Sequence, residues 1–238
     1  MVTQQMSVTL KQAVITRRGT RTLGPINMTL AATGFTIVLG PNGSGKTSLL
    51  KVLHGVERLS SGLVTWSVAD VDARQAQAYV FQKPIMLRRS VRQNLAYPLQ
   101  LRKFHKSQIN ACVEDWAERI NLQDALNRPA TRLSGGEQQK LALARALIRD
   151  PKVLFLDEPC ANLDGRSTRE IETLLRDSCA SGTRIIMATH DLGQARRLAS
   201  DIVFLLDGDV REQSTAEDFF DAQQTVEARA FLNGDIIE

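Results

Sequence analysis

The segment Gly40-Pro-Asn-Gly-Ser-Gly-Lys-Thr47 decides how this 238-residue chain folds. An apolar run at 35–39 precedes it and predicts a buried strand, and a helical pattern at 48–53 follows it. Its three glycines let the backbone curl so that successive N–H groups face one anion, and the helix that begins there adds its dipole. Lys46 places a positive charge between the β- and γ-phosphates of a nucleotide, and Thr47 offers a hydroxyl to Mg²⁺. The segment therefore predicts a site for a nucleoside triphosphate and its metal ion.

The contacts with ATP are predicted along this loop and the first turn of its helix. An ordinary glycine turn before a helix is the alternative interpretation, and the strand and helix on either side disfavour it. The predicted ATP-binding residues are Gly40, Pro41, Asn42, Gly43, Ser44, Gly45, Lys46, Thr47 and Ser48.

A second signal is a pair of acids at the end of an apolar run. Val153-Leu-Phe-Leu156 predicts a buried strand and leads directly into Asp157-Glu158-Pro159. In a parallel sheet the carboxyl ends of the strands meet at the edge where ligands bind. Asp157 is predicted to hold Mg²⁺ through water, and Glu158 to orient and deprotonate an attacking water. An acidic turn before a proline is the alternative, and the glycine loop upstream makes it the weaker one.

Strand and helix patterns alternate along much of the chain, which favours an α/β fold with a mostly parallel sheet. Between about 83 and 149 the pattern is helical and almost free of strand signals, so we expect a helical subdomain inserted into the core. The core then comprises residues 1–82 and 150–238 of one domain, 1–238, and residues 215–232 are expected to form one amphipathic helix. The predicted strands lie at 8–15, 26–30, 35–39, 63–66, 78–81, 153–156, 184–188 and 202–206.

A third motif, Leu133-Ser-Gly-Gly-Glu137, opens a strongly helical run at 138–148, and Ser134 is a suitable N-cap. This is a second helix terminus that could bind an anion in one small domain. One ATP already held at the Gly40 loop has little use for a second γ-phosphate cradle in its own subunit. We therefore expect two chains to face each other head to tail, each presenting Ser134 and Gly136 to the nucleotide of the other.

The three motifs resemble those of the ATP-binding-cassette (ABC) ATPases, and the resemblance extends over essentially the whole chain. It identifies the Gly40 loop as the Walker A loop, residues 133–137 as the signature and residues 153–158 as Walker B. It implies a P-loop NTPase core with an antiparallel β subdomain and an inserted helical subdomain, hydrolysis of ATP with Mg²⁺, and a homodimer that closes on nucleotide. The residues it places across the dimer interface, at the partner's ATP, are Ser134, Gly135, Gly136, Glu137 and Asp164.

Two further residues follow predicted strands where the family has catalytic side chains. Gln82 is similar to the Q-loop glutamine, which contacts Mg²⁺ and the attacking water, and His190 is similar to the switch histidine, which contacts the γ-phosphate. Either residue alone would more often be a satisfied polar side chain at a strand end, but their order among the other motifs favours catalysis. The resemblance thus implies Lys46, Gln82, Glu158 and His190 as catalytic residues, and Thr47, Gln82 and Asp157 as metal ligands.

The sequence departs from the family at two positions. Glu137 stands where glutamine is commoner, which leaves the neighbouring donors of the signature in place. No aromatic ring that could stack on the adenine precedes the first motif, in Ala13-Val-Ile-Thr-Arg-Arg-Gly19. We expect Arg17, or its neighbour Arg18, to stack a planar guanidinium on the base instead. The alternative is that both are solvated turn residues.

The composition is that of a globular chain, since 43% of its residues are apolar and its formal charge is +4 with acids and bases interleaved. Interleaved charges favour a solvated surface, so nucleic acid is not an expected partner. No run approaches the roughly 20 apolar residues of a membrane-spanning helix. The 3 cysteines show no metal-like spacing. We expect a peripheral protein at the cytoplasmic face of the cell membrane, held there by a partner.

Among such ATPases the transporter interpretation predicts separate transmembrane permease subunits that dock near residues 82–101. Exporters commonly carry an acidic stretch before the signature, and residues 127–132 lack one. An importer is therefore favoured, served indirectly by an extracytoplasmic solute-binding protein. Packing within the helical subdomain is the alternative explanation for the apolar residues expected to contact the permease, which are Ile85, Met86, Leu87 and Tyr97.

The segment Gln82-Lys-Pro-Ile-Met-Leu-Arg-Arg-Ser90 is similar to tungstate-type importers, so an oxyanion such as tungstate, molybdate or phosphate is the expected cargo. A polar amino acid is the alternative cargo. The alternative class of protein is a soluble cassette ATPase that acts on nucleic acid or ribosomes. Neither the long coiled-coil insertion nor the second cassette of those proteins is found in this sequence.

Overall fold

The computed structural model of the chain describes residues 6–235, and its largest element is a six-stranded sheet. The ends of the predicted core, residues 1–5 and 236–238, lie outside that description. The strands are β1 (Val8–Arg17), β2 (Thr20–Leu30), β3 (Phe35–Leu39), β4 (Ser61–Trp66), β5 (Gln77–Val80), β6 (Val153–Asp157), β7 (Arg184–Thr189), β8 (Asp201–Leu206) and β9 (Asp209–Thr215). The α-helices are α1 (Lys46–His54), α2 (Asp70–Ala76), α3 (Val91–Leu101), α4 (Lys106–Arg119), α5 (Gly135–Leu147), α6 (Gly165–Ala180), α7 (Leu192–Leu198), α8 (Ala216–Asp221) and α9 (Val226–Asn233).

The strand order in the six-stranded sheet is β5, β6, β7, β3, β8, β9, and neighbouring strands are parallel except at β9. β3, β6 and β7 are buried along their whole length. Alternate side chains of β3 enter two separate apolar clusters, so both faces of the sheet are covered and a continuous apolar run is required. The α/β fold with a mostly parallel sheet is confirmed, whereas β9 has no counterpart among the predicted strands.

The first strands form a separate three-stranded sheet. β1 lies between β2 and β4 and pairs antiparallel with both. Apolar side chains from β1 and β2, such as Leu10 and Ile26, share a buried cluster with Leu49 of α1. The antiparallel β subdomain is therefore confirmed, and its packing supports the helix that follows the first motif.

Helices α3, α4 and α5 pack around an apolar cluster of their own, which includes Leu95, Val113 and Leu141. The other face of α5 contributes Ala142 and Leu143 to the cluster beneath the central sheet. The inserted helical part is confirmed. The division of the domain at residues 82 and 150 stays a prediction, because α5 belongs to both clusters.

The tail does not form the single helix expected for residues 215–232. β9 ends and α8 begins within this range, and a short break separates α8 from α9. The buried carboxylate of Glu212 accepts hydrogen bonds from Gln224 N, Thr225 N and Thr225 Oγ1, each at 3.1 Å, which fixes that break. Val226, an apolar residue in this range, is 75% exposed. The expectation was wrong because a tertiary contact interrupts the helical pattern.

Candidate nucleotide-binding site

The loop that joins β3 to α1 lies at the carboxyl edge of the parallel strands. A side chain at Gly40 would bring its Cβ to 2.1 Å from the carbonyl oxygen of Leu205, so only glycine fits there. Gly45, with φ +103°, is the N-cap of α1 and has no side chain with which to cap the helix. The N–H groups of the first turn therefore stay available to an anion at the positive end of the helix dipole.

Lys46 lies inside this loop and is only 6% exposed. Its Nζ donates to the carbonyl oxygens of Gly40 and Pro41, each at 2.9 Å, and lies 3.7 Å from Glu158 Oε1. Burial lowers the pKa of Lys46, and the carboxylates of Glu158 and Asp157 oppose that shift. The ammonium is thus held between the loop and the two acids at the end of β6, where an anionic phosphate would find a positive partner.

Asp157 ends β6 and is joined to α1 through Thr47, whose Oγ1 donates to Asp157 Oδ1 at 2.9 Å. Tyr79 of β5 donates to Asp157 Oδ2 at 3.4 Å. Burial raises the pKa of Asp157, and the hydrogen bond from Thr47 opposes the shift. Gln82 lines the same small recess as Thr47 and Asp157. A hydroxyl, a carboxylate and an amide oxygen are the hard donors that suit Mg²⁺ when it also binds phosphate and water, so these residues fit the ion.

Three of the predicted catalytic side chains converge on the fourth, Glu158. Gln82 Nε2 donates to Glu158 Oε2 at 3.2 Å, and His190 Nδ1 lies 3.2 Å from Glu158 Oε1, the oxygen that Lys46 also approaches. Glu158 has φ +44°, a left-handed conformation that is uncommon for a residue with a side chain. Its N–H donates to the carbonyl of Ala188 in β7 at 3.0 Å, which holds this conformation. Backbone strain of this kind collects at functional sites.

A cleft of about 770 Å³ opens over the loop and contains these groups. The predicted site residues that line it are Asn42, Gly43, Gly45, Lys46, Thr47, Ser48, Gln82, Glu158 and His190. Gly40, Pro41, Ser44 and Asp157 are not part of that lining.

Several residues that line the same cleft were not predicted from the sequence. Cys160 and Asn162 follow the acid pair so closely that their position beside it could have been inferred from the sequence. Gln194 lies on α7 and reaches the cleft because of where β7 ends, which no local pattern indicates. The missed residues are Cys160, Ala161, Asn162, Thr189, Asp191 and Gln194.

Arg17, at the end of β1, lies beside α1 and outside the cleft lining. Its Nε donates to Glu57 Oε1 at 3.1 Å, and its Nη2 donates to Ser48 Oγ at 3.4 Å. The ion pair with Glu57 therefore holds the guanidinium next to the first turn of α1. Arg18, with φ +50°, is an exposed turn residue. Stacking of Arg17 on a base stays a prediction.

The signature residues form a helix cap away from the cleft of their own subunit. Ser134 Oγ accepts from Glu137 N at 3.3 Å, and Glu137 Oε2 accepts from Ser134 N at 2.7 Å, which is a capping box at the start of α5. The bond from the Ser134 backbone lowers the pKa of Glu137. An acid at this position therefore has a structural role. In the part of the chain that the structure describes, the cleft lining includes none of the four signature residues Ser134, Gly135, Gly136 and Glu137.

The starts of α5 and α6 are joined to each other. Asp164 caps α6 by accepting from two backbone N–H groups of its first turn, each at 2.9 Å. A Cβ at Gly136 would meet Ser167 Oγ at 2.5 Å, so the signature glycine lets the two helix termini approach closely. Lys140 pairs with Glu170 at 2.7 Å one turn further along. Asp164 therefore lies beside the signature, and it is not part of the described cleft lining of the same subunit.

Comparison with known proteins gives the family. A sequence profile described as ABC transporter matches residues 23–161. The tungstate uptake system ATP-binding protein TupC of Peptoclostridium acidaminophilum is 37% identical to the chain over 217 residues, which cover 90% of this chain and 100% of that protein. The chain belongs to the ABC transporter family. This ABC ATPase is also 34% identical over 237 residues to the phosphate import ATP-binding protein PstB 2 of Natronomonas pharaonis, with 92% of this chain and 84% of that protein covered.

A solved structure supports the same assignment. The fold of this ABC ATPase matches CbiO1 of Clostridium perfringens, described as part of the ABC transporter complex cbiONQ, with a TM-score of 0.82, 27% identity and 96% of each chain covered. The chain is an ATPase of the import-type group that its relatives represent. Within residues 6–235, none of the helices of this ABC ATPase is long and apolar enough to cross a membrane.

Proposed function

We propose that this ABC ATPase is the nucleotide-binding subunit that powers the import of a small oxyanion of the tungstate, molybdate or phosphate type. The convergence of Lys46, Gln82 and His190 on Glu158, above a loop built to bind phosphate, is the observation that carries the ATPase part of the proposal. The similarity to a tungstate and a phosphate import protein supports the cargo.

Residues of the loop and β6 would bind the triphosphate and its metal ion. The N–H groups at the start of α1 and the ammonium of Lys46 would meet the β- and γ-phosphates. Thr47, Gln82 and Asp157 are the oxygen donors proposed to hold Mg²⁺. When bound, Mg²⁺ supplies positive charge that neutralises the phosphates.

Glu158 is proposed to act as the general base for hydrolysis. Its carboxylate would accept a proton from the attacking water, and Gln82, which already donates to Glu158 Oε2, would hold that water in line. His190 would donate to the γ-phosphate from the other side of Glu158. Together these contacts would orient the water and stabilise the charge that develops on the phosphate.

Two copies of the chain are proposed to enclose two nucleotides between them. Ser134, Gly135, Gly136, Glu137 and Asp164 would then contact the ATP bound to the partner. Two observations support this arrangement. Gly136 leaves no room for a side chain beside Ser167, which is hydrogen-bonded to Asp164, and within the described chain none of the five residues lines the cleft of its own subunit. ATP binding would favour the closed dimer, and hydrolysis would release it.

The motion of the dimer is proposed to act on two transmembrane permease subunits that dock near residues 82–101. The ABC ATPase would lie peripherally at the cytoplasmic face of the membrane. An extracytoplasmic solute-binding protein would deliver the cargo to the permease without contacting the ABC ATPase. The apolar side chain of Ile85 is 61% exposed, which supports a surface in this segment that a partner subunit covers.

Uptake by cells tests the proposed function. Cells that lack the gene are complemented with the wild-type chain or with Glu158→Gln, and cellular tungsten, molybdenum and phosphate are measured together with uptake of labelled glutamate. We expect oxyanion uptake to return with the wild-type chain and to stay absent with Glu158→Gln. Restored glutamate uptake alone would favour an amino acid importer, and DNA-stimulated hydrolysis with no membrane partner would favour the soluble class of cassette ATPases.

A further inference from the structure

Tyr79 of β5 reaches a proposed metal ligand from outside the nucleotide cleft. The residue is half-buried and is not part of the described lining of that cleft. Its hydroxyl donates to Oδ2 of the buried Asp157 at 3.4 Å, and the hydroxyl of Thr47 donates to Oδ1 at 2.9 Å. Both oxygens of this carboxylate therefore accept a hydroxyl. Of the two donors, only Tyr79 is not itself a proposed ligand of the ion.

The ring of Tyr79 packs on the two elements that carry the other ligands of its carboxylate partner. His54 ends α1, the helix that carries Thr47, and its ring meets Tyr79 edge-on with ring centroids 5.4 Å apart. Phe155 lies on β6, the strand that carries Asp157, and is opposite Tyr79 in the parallel pairing of β5 and β6. Those two rings are stacked with centroids 6.3 Å apart. The phenol is thus held between α1 and β6.

A third ring adds the segment that follows β5. Phe81, the neighbour of Gln82 in the chain, has its ring centroid 4.6 Å from that of Tyr79. Centroid distances between 4.5 and 7 Å are those of favourable aromatic contacts. A tyrosine side chain has only two χ angles, so contacts with three rings fix where its hydroxyl lies. Tyr79 therefore contacts each of the three segments that supply the proposed ligands Thr47, Gln82 and Asp157.

The packing of these rings does not require the hydroxyl of Tyr79. Phenylalanine would fill nearly the same volume and make the same ring contacts. A hydroxyl that is taken out of water costs free energy unless it forms a hydrogen bond, so its presence here is explained by the bond to Asp157. A carboxylate that binds a metal ion depends in turn on hydrogen bonds that fix its orientation.

We infer that Tyr79 is a positioning residue, whose hydroxyl orients the carboxylate of Asp157 and so raises the affinity of the nucleotide-bound chain for Mg²⁺. It acts through Asp157 and contacts neither the ion nor the nucleotide. Partners that orient a metal ligand in this way contribute about 10- to 100-fold to metal affinity. The inference rests on the proposed function, since it takes Asp157 as a residue that holds the ion.

A titration with Mn²⁺ tests this inference without using hydrolysis as the readout. Mn²⁺ binds the same oxygen donors as Mg²⁺, and electron paramagnetic resonance measures the free ion. Purified chain, in excess over a non-hydrolysable ATP analogue, is titrated with Mn²⁺. We expect the Kd for Mn²⁺ to rise about tenfold in Tyr79→Phe, which removes the hydroxyl and keeps the ring contacts. The Kd for the analogue in EDTA is expected to stay unchanged, because the phosphate loop is intact.

The other of the 2 tyrosines in the chain provides the matched control. Tyr97→Phe removes the same hydroxyl from α3, outside the described lining of the cleft, and is expected to keep the wild-type Kd for Mn²⁺. Asp157→Asn removes the charge of the ligand itself and is expected to weaken Mn²⁺ binding more than Tyr79→Phe does.

The outcomes separate the inference from the proposed function. Wild-type Mn²⁺ affinity in Tyr79→Phe, together with a loss in Asp157→Asn, would overturn the inference and leave the proposed metal site standing. A loss in Tyr79→Phe that the analogue shows equally in EDTA would also overturn the inference, since it indicates a general disturbance of the nucleotide site. Wild-type Mn²⁺ affinity in Asp157→Asn would remove the proposed metal ligand, and the inference with it.

Discussion

At the scale of single residues, Lys46 is the side chain on which nucleotide affinity is expected to depend most. Lys46→Ala removes a buried ammonium that donates to two loop carbonyls and lies close to Glu158. A hydrogen bond to a charged group contributes about 1.5–3 kcal/mol, so we expect the Kd for ATP to rise roughly 10- to 100-fold. Calorimetric titration with ATP measures this Kd. Lys106→Ala, at the exposed start of α4, is the matched control, and equal affinity in the two variants would exclude Lys46 from the phosphate site.

Cys160 gives a prediction on reactivity at the same scale. Burial raises the pKa of its thiol from 9.0 to about 11, although the residue lines the cleft. Only the thiolate reacts with alkylating reagents, so at pH 8 its reactive fraction is roughly a hundredfold below that of the unfolded chain. We expect slow labelling by iodoacetamide in the native protein, faster labelling as the pH rises towards 11, and rapid labelling in urea, each followed by mass spectrometry. Rapid native labelling at pH 8 would contradict this environment.

At the scale of elements, Glu212 determines whether α9 stays attached to the sheet. Its buried carboxylate is the acceptor for three donors at the break between α8 and α9. Glu212→Ala leaves those donors without a partner, which costs about 1–3 kcal/mol for a buried group. We expect a lower Tm and faster hydrogen exchange in residues 226–233, with ATPase activity retained. Glu217→Ala, exposed on α8, is expected to change neither, and slow exchange in both variants would show that apolar contacts alone hold α9.

The elements also show which parts of the fold a sequence can specify. β3, β6 and β7 were predictable because burial on both faces demands a continuous apolar run. β9 was missed because Asp-Val-Arg-Glu-Gln-Ser-Thr, residues 209–215, has no such run, and the strand exists through its antiparallel pairing with β8 at the sheet edge. The tail was predicted as one helix because its periodicity does not reveal the contact made by Glu212.

The candidate site likewise has parts that the sequence predicts and parts that it does not. The phosphate loop and the acid pair at Asp157 and Glu158 were predictable because consecutive residues form them. The bond from Tyr79 to Asp157 and the approach of Gln194 to the cleft depend on which strands are neighbours, and no local pattern contains that information. The ion pair of Arg17 with Glu57 likewise joins residues far apart in sequence.

At the scale of the whole molecule, the central claim is that two chains complete each other's nucleotide sites. The helix terminus capped by Ser134 is not part of the described lining of its own subunit's cleft, while Gln82 and His190 lie within 3.2 Å of Glu158, where they would position water. If Glu158 is the base, Glu158→Gln keeps the phosphate cradle and stops hydrolysis. ATP should then hold the dimer closed.

Light scattering of Glu158→Gln with saturating ATP and Mg²⁺ tests this claim most directly. In a matched pair of double variants, Ser134→Asn and Ser134→Asp both keep a residue able to cap α5, but only the aspartate brings a negative charge to the partner's γ-phosphate. We predict a dimer for Glu158→Gln alone and with Ser134→Asn, and a nucleotide-bound monomer of 26.4 kDa with Ser134→Asp. A monomer of ATP-saturated Glu158→Gln, or a dimer that tolerates Ser134→Asp, would contradict the shared site.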